Sequence, residues 1–244
     1  MIIYGRNVIR EALQAGAGLK EAFLQTTADN AVELAGLEND LLAAGVPVAR
    51  LPREKLEAVS HSREHQGAAA RIKGFGYSRA EPVLDALGAP PFVIVLDRVQ
   101  DPHNLGAIVR TAAGAGADLV VLAAHGGCRV TPAVLKTSAG CAFRVPIAIE
   151  TNLPRFIASL RGRGCWAYAA VMDGSSCFDL DFAGGVVLVF GSEGDGIRRL
   201  VLETCDFRVS VPMARPLDSL NVSVSAAVIA FQVRRARIRA GGGR

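Results

Sequence analysis

The chain is poor in the residues that build metal and redox centres. Its five cysteines (Cys128, Cys141, Cys165, Cys177 and Cys205) are odd in number and widely spaced, and no C-x-x-C pair exists. Only two of the four histidines, His61 and His65, lie close together. Neither a zinc site nor a dithiol redox motif is therefore expected, and the cysteines read as small buried hydrophobes in a reducing compartment. Long hydrophobic runs are also missing. Apolar runs such as Val186–Phe190 and Ala226–Phe231 fall well short of the roughly 18 residues that a membrane span needs. The opening Met1-Ile2-Ile3-Tyr4-Gly5-Arg6 lacks the basic-then-apolar order of a secretion signal. The expectation is a soluble, cytoplasmic protein with no membrane and no metal partner.

Lysine is scarce, with 4 against 23 arginines, and the net charge of +4 is unevenly placed. Five arginines and no acid fall in residues 234–244; without them the chain holds 22 basic and 23 acidic residues. The body is neutral. The excess is a tail, Arg234-Arg235-Ala236-Arg237-Ile238-Arg239, which reads either as a phosphate-binding stretch or as a solvated helix end whose cations suit the helix dipole.

Half the residues are hydrophobic, enough for a sizeable core, and their periodicity divides the chain. Residues 1–72 carry a short α/β rhythm: a helix through Val8, Ile9, Ala12 and Leu13, a strand at Ala22–Leu24, and a helix through Leu34, Leu37, Leu41 and Leu42. Val46–Val48, a helix from Pro52 and a strand at Gly67–Ile72 complete it. Residues 73–91 are rich in Gly, Pro and polar residues and read as a linker. From Phe92 strands and helices alternate, with strands at Phe92–Leu96, Asp118–Leu122, Val145–Ile149, Cys165–Val171, Val186–Phe190 and Phe207–Val211. Helices are expected at Asn104–Ala115, Pro132–Gly140, Leu153–Arg161, Gly196–Thr204 and Ser219–Arg239. Such alternation predicts an α/β fold with a parallel sheet covered by helices on both faces.

Ligands of such sheets bind beyond the carboxyl ends of the strands, so the strand-to-helix loops matter most, and three carry chemistry. The first runs from Asp97 to Arg110 and contains Asn104-Leu105-Gly106-Ala107; Asn104 can cap the following helix. It holds no G-x-G-x-x-G, which disfavours an ordinary dinucleotide or Rossmann-type methyltransferase site. The second is Gly191-Ser192-Glu193-Gly194-Asp195-Gly196, whose glycines let the backbone lie against a flat ligand while Glu193 projects from it. The third runs from Val211 through Met213 to Ser225, where Ser219 or Asn221 can cap a helix that opens with small polar groups.

In this order and at this separation, N-L-G-A-I-V-R, F-G-S-E-G-D-G and S-L-N-V-S-V-S resemble the three motifs of the SpoU/TrmH family of RNA ribose 2′-O-methyltransferases. Ile3-Tyr4-Gly5-Arg6-Asn7-Val8 and His65-Gln66-Gly67 are similar to the small ribosomal-L30e-like substrate-binding domain of the large-subunit rRNA branch. The resemblance implies a C-terminal parallel-sheet (SPOUT) domain threaded into a trefoil knot, spanning residues 92–244, behind an RNA-binding domain of residues 1–72. It implies S-adenosylmethionine as cofactor, contacted by Gly191, Val211 and Leu220 with Met213 nearby, large-subunit rRNA as partner, and a homodimer with the active site near its interface. It gives Arg110 the catalytic part, as activator of the 2′-hydroxyl or as a phosphate grip, with Asn104, Glu193, Ser219 and Asn221 positioning the reacting groups. The same methylation on tRNA or another rRNA position is the nearest alternative. A non-catalytic RNA-binding assembly factor is the distant one, against which the intact Asn104, Arg110, Glu193 and Asn221 argue.

Overall fold

A computed structural model of the chain describes residues 1–26, 31–215 and 220–241. It divides into two compact units, one of residues 1–76 and 130–144, the other of residues 77–129 and 145–244.

The first unit holds β1 (Ile2–Tyr4), α1 (Arg6–Gln14), β2 (Leu19–Gln25), α2 (Ala31–Ala43), β3 (Val48–Leu51), α3 (Arg53–Ser60) and β4 (Ala68–Ile72). Its four strands form a mixed sheet in the order β1-β4-β2-β3, with only the β2–β3 pair parallel. Val8, Ile9 and Ala12 of α1 and Leu34, Leu37 and Leu41 of α2 are buried, as the three-four spacing predicts, whereas Leu13 is half-buried and Leu42, one residue past the buried face, is exposed.

The next elements are α4 (Ala80–Asp85), β5 (Phe92–Asp97), α5 (Pro102–Ala115), β6 (Leu119–Ala123), α6 (Pro132–Thr137), β7 (Ile147–Glu150), α7 (Leu153–Arg161), β8 (Cys165–Ser176), β9 (Gly185–Gly191), α8 (Arg199–Leu202), β10 (Phe207–Ser210) and α9 (Val222–Arg239). All but α6 belong to the second unit. Its six strands are parallel throughout, in the order β10-β8-β9-β5-β6-β7. Every residue of β5, β6 and β9 is buried, which explains their unbroken apolar runs. Alternate residues of these strands (Val93, Val95, Val121, Val187, Val189) form one core with Ala80 and Leu84 of α4, Leu153 to Leu160 of α7 and Val201 of α8. Elsewhere α9 packs against α5 and β9. Each fully buried Val, Leu or Ile contributes about 1.5–3 kcal/mol.

Several expectations need correction. The stretch 73–91 is not simply a linker: Ala80 and Leu84 fall on one face of α4 and are buried in the second unit's core. Residues 130–144, read as part of the second domain, cluster with the first unit; Arg144 pairs with Glu11, and a methyl group on Gly140 would lie 2.7 Å from Glu11 Cβ. The helix expected over Gly196–Thr204 shrinks to α8, because Gly196 takes φ +66° and Arg198 is extended at ψ 142°. β1 was missed, being only three residues long. Of the cysteines only Cys165 and Cys177 are buried; Cys128, Cys141 and Cys205 are half-buried. The arginine tail is partly structural: Arg237 stacks on Phe92 at 5.4 Å, donates to the Pro90 carbonyl at 2.7 Å and pairs with Asp118.

β8 and β10 frame the site, and their pairing shifts register between Arg208 and Val209. Gly174 makes that shift possible, since a β-carbon there would lie 2.6 Å from the Val209 backbone nitrogen. Gly174→Ala should lower stability by about 2 kcal/mol, read from denaturant unfolding; an unchanged midpoint would show that the two strands simply spread apart.

Candidate active site

The site grows from the carboxyl ends of β5 and β9. Their register sets Asp97 beside Gly191. Asp97 is wholly buried, and its carboxylate accepts from the Arg198 backbone N–H and from Arg198 Nε, both at 2.8 Å. This closes the far end of the loop after β9 onto the end of β5. Within the loop, Ser192 and Gly196 exchange backbone hydrogen bonds of 3.0 and 3.1 Å around a turn in which Gly194 and Gly196 adopt φ of +92° and +66°. Gly191 is needed for space: a β-carbon on it would sit 2.1 Å from the Gly196 carbonyl carbon.

Pro102 opens α5, and Asp101 caps it, accepting from His103 N at 3.0 Å and Asn104 N at 3.4 Å. Asn104 is therefore not the cap. It lies inside the first turn, 7% exposed, and its side chain is free for other work. At the start of α9 the cap is Asn221, whose Oδ1 accepts from Ser223 N at 2.9 Å and Ser223 Oγ at 2.6 Å. Its Nδ2 donates to Asn104 Oδ1 at 3.0 Å and to Glu193 Oε1 at 2.9 Å, and Asn104 Nδ2 donates to the same Glu193 oxygen at 2.9 Å. One residue from each of the three loops thus meets in a closed polar triangle.

Beside this triangle lies a cavity of about 640 Å³, the size of a small-molecule site. Gly191, Val211, Met213 and Leu220 all line it, as do Glu193 and Asn221. Val209, Ser225 and Ile229 complete walls that are apolar with a few polar groups.

Two residues stand apart. Ser219 lies outside the described residues. Arg110 is exposed and lines no part of the cavity; six residues along a helix put it roughly 120° around from Asn104. Sequence reasoning missed Asp97, Arg198 and the Asp101 cap. An acid directly after an apolar strand, Val95-Leu96-Asp97, and Asp-Pro before the helix were the available signals. Among the described residues no group of three His, Cys, Asp or Glu could hold a metal, and no helix is long and apolar enough to cross a membrane.

A wholly parallel α/β sheet whose three carboxyl-edge loops meet in one polar triangle, two of them lining the cavity beside it, defines the second unit as the ligand-binding unit of an enzyme. The chain belongs to the SpoU rRNA Methylase family, whose model matches residues 91–231, and it is an RNA methyltransferase. The model for RNA 2′-O ribose methyltransferase substrate binding matches residues 2–78. A 23S rRNA (guanosine-2′-O-)-methyltransferase, RlmB, of Xanthomonas campestris pv. campestris is 37% identical over 243 residues, covering 98% of this chain and 97% of its own. An uncharacterised tRNA/rRNA methyltransferase of Mycolicibacterium vanbaalenii is 36% identical over 242 residues, covering 97% of this chain and 76% of its own. Among solved structures, an RNA 2′-O ribose methyltransferase superposes with a TM-score of 0.77 at 27% identity, covering 98% of this chain and 89% of its own. The SpoU methyltransferase AviRb of Streptomyces viridochromogenes, solved with AdoMet, reaches a TM-score of 0.82 at 20% identity, covering 98% of this chain and 91% of its own; at that identity it speaks to the fold alone.

The triangle should behave as a unit. Asn221→Ala is expected to cost about 1 kcal/mol as a lost cap, and its combination with Asn104→Ala should depart from additivity by about 0.5 kcal/mol or more. Denaturant unfolding of the singles and the double measures this; strict additivity would mean that the three loops are held separately.

Proposed function

We propose that this chain transfers a methyl group from S-adenosylmethionine to the ribose 2′-hydroxyl of a guanosine in 23S rRNA. The carrying observation is the cavity bounded by Gly191, Val211, Met213 and Leu220 next to the Asn104–Glu193–Asn221 triangle, in a chain 37% identical to a guanosine-2′-O-methyltransferase along nearly its whole length. The residues present suit that cofactor. The Gly191 backbone borders the cavity, Val211, Leu220 and Ile229 offer apolar walls, and Ser225 and Asn221 offer polar contacts. Bound there, S-adenosylmethionine supplies an electrophilic methyl group on a sulfonium whose departure leaves a neutral thioether.

The protein's part is to align the ribose oxygen and to manage its proton. A guanidinium stays protonated in proteins, so Arg110 acts as a cation that grips the neighbouring phosphate and steadies charge developing on the ribose oxygen. Glu193 spends Oε1 on the two asparagines, and its other oxygen is the acceptor on hand for the hydroxyl proton. Residues 2–78 select the RNA.

The active form is a homodimer built on α9. Val224, Phe231 and Ile238 recur every seven residues along it and are 46%, 49% and 53% exposed, forming an apolar stripe along one face. Phe231 lies over Gly114 of α5, one helical turn from Arg110. A second copy seated on the stripe therefore covers the ground next to Arg110, which explains how an arginine off its own chain's cavity takes part in the reaction.

Two measurements check this. Arg110→Ala should slow cofactor-dependent methylation of a 23S rRNA transcript roughly 100- to 1,000-fold while leaving cofactor affinity intact; near-normal single-turnover rates would remove Arg110 from the mechanism. In sedimentation, Phe231→Glu should shift the protein from dimer to monomer with the fold retained, and a persistent dimer would move the interface elsewhere.

A further inference from the structure

We propose that Arg98 is a second phosphate-gripping residue for the RNA substrate, its guanidinium beside the loop after β9 that borders the cofactor cavity. This rests on the reading of the chain as an RNA methyltransferase.

Arg98 follows the buried Asp97 directly and takes φ +64°, a conformation that side chains other than glycine rarely adopt. A glycine would sit there without strain, so the position spends backbone strain to carry a guanidinium. The side chain runs along the loop after β6: a β-carbon on Gly126 would lie 2.9 Å from Arg98 Cδ, and one on Gly127 would lie 3.5 Å from Arg98 Cα. Its guanidinium then reaches the loop after β9. Three strand-end loops thus flank one cation.

The cation has little to do within the chain. Asp97 is already committed to Arg198 through both carboxylate oxygens. Arg98 Nε is buried with no hydrogen-bond partner among the described residues. Among the described residues the ion-pair partner of Nη2 is Asp195 at 3.9 Å, itself 77% exposed; a pair that long and that exposed holds weakly. Buried donors without partners in a native site call for a ligand or water, and a half-committed arginine fork fits two oxygens of one anion. S-adenosylmethionine has no phosphate, so the matching anion is an RNA phosphate flanking the target ribose. The cofactor's own carboxylate is the competing source, and the experiment separates the two.

The test uses the full chain with a 23S rRNA transcript and, in parallel, an unrelated structured RNA. Arg98→Gly removes the fork and the backbone strain together, and Arg98→Gln keeps the β-carbon and the packing on Gly126. Both should weaken RNA binding roughly tenfold and flatten the plot of log affinity against log salt by about 0.7 to 0.9 of a unit. Arg98→Lys should keep most of the slope with intermediate affinity. Arg98→Gly should melt no lower than the parent, with cofactor affinity unchanged. An unchanged salt slope in Arg98→Gly overturns the proposal. If cofactor affinity falls at the same time, the cation serves the cofactor carboxylate; if only the melting point falls, it is a strut between loops. The slope counts phosphate contacts on either RNA, so a failed methylation assay on 23S rRNA would strike the proposed function and not Arg98.

Discussion

Everything at the carboxyl edge of the large sheet depends on one buried carboxylate. Asp97 ends β5 at zero exposure, where an unpaired charge would cost several kcal/mol. It is tolerated because Arg198 brings two donors to it, one from the backbone and one from the side chain. The need to satisfy Asp97 therefore fixes where the loop after β9 must end. Its other end is fixed by β9 itself, whose Gly191 pairs with Asp97 in the sheet. With both ends pinned, the Ser192–Gly196 turn can project Glu193 to only one place, and α5 has its first turn there. The polar triangle is the consequence.

The parts differ in rigidity for physical reasons. Asn104 stands on a helix capped by Asp101 and opened by Pro102, and Asn221 caps an 18-residue helix. These are firm supports. Glu193 stands on a loop whose shape rests on glycine conformations and a few hydrogen bonds. It borrows its position from the two asparagines, so the triangle transmits helix rigidity to its one acid. In the role proposed for it, as acceptor of a hydroxyl proton, such a carboxylate would gain from this support, because the cost of fixing it is met before the RNA arrives.

Much of this was legible in the residues. Long apolar runs such as Phe92–Leu96 and Val186–Phe190 announced strands buried on both faces, and the three loops followed from where those runs stop. The asparagines and Glu193 were visible as polar residues at loop-to-helix junctions, though nothing in one sequence says that residues 89 and 117 positions apart touch. Interactions of that kind were the main loss: Asp97 with Arg198, Arg237 with Phe92, and Arg144 with Glu11 join distant positions through geometry alone. Local misreadings had local causes. Gly and Pro around Ala80–Asp85 hid a helix only six residues long. The helix expected over Gly196–Thr204 is longer than the positive φ of Gly196 allows. Asn104 looked like a cap because caps and buried hydrogen-bonding asparagines use the same residue in the same neighbourhood.

The position of Arg110 bears on mechanism more than its identity does. On the spacing of α5 it cannot share a face with Asn104, and it is exposed in the single chain. A guanidinium in water is a weak electrostatic catalyst, because solvent screens it and competes for its donors. The same group becomes potent only where water is excluded. Burial by a second copy along the Val224–Phe231–Ile238 stripe would supply that exclusion, and the arriving phosphate would compensate the charge so buried. In this view the reaction needs the interface for a dielectric reason as much as for a geometric one. On the proposed dimer, the cofactor cavity of one chain can be complete while its cation is still poorly effective, and assembly would turn the same residues into a catalyst.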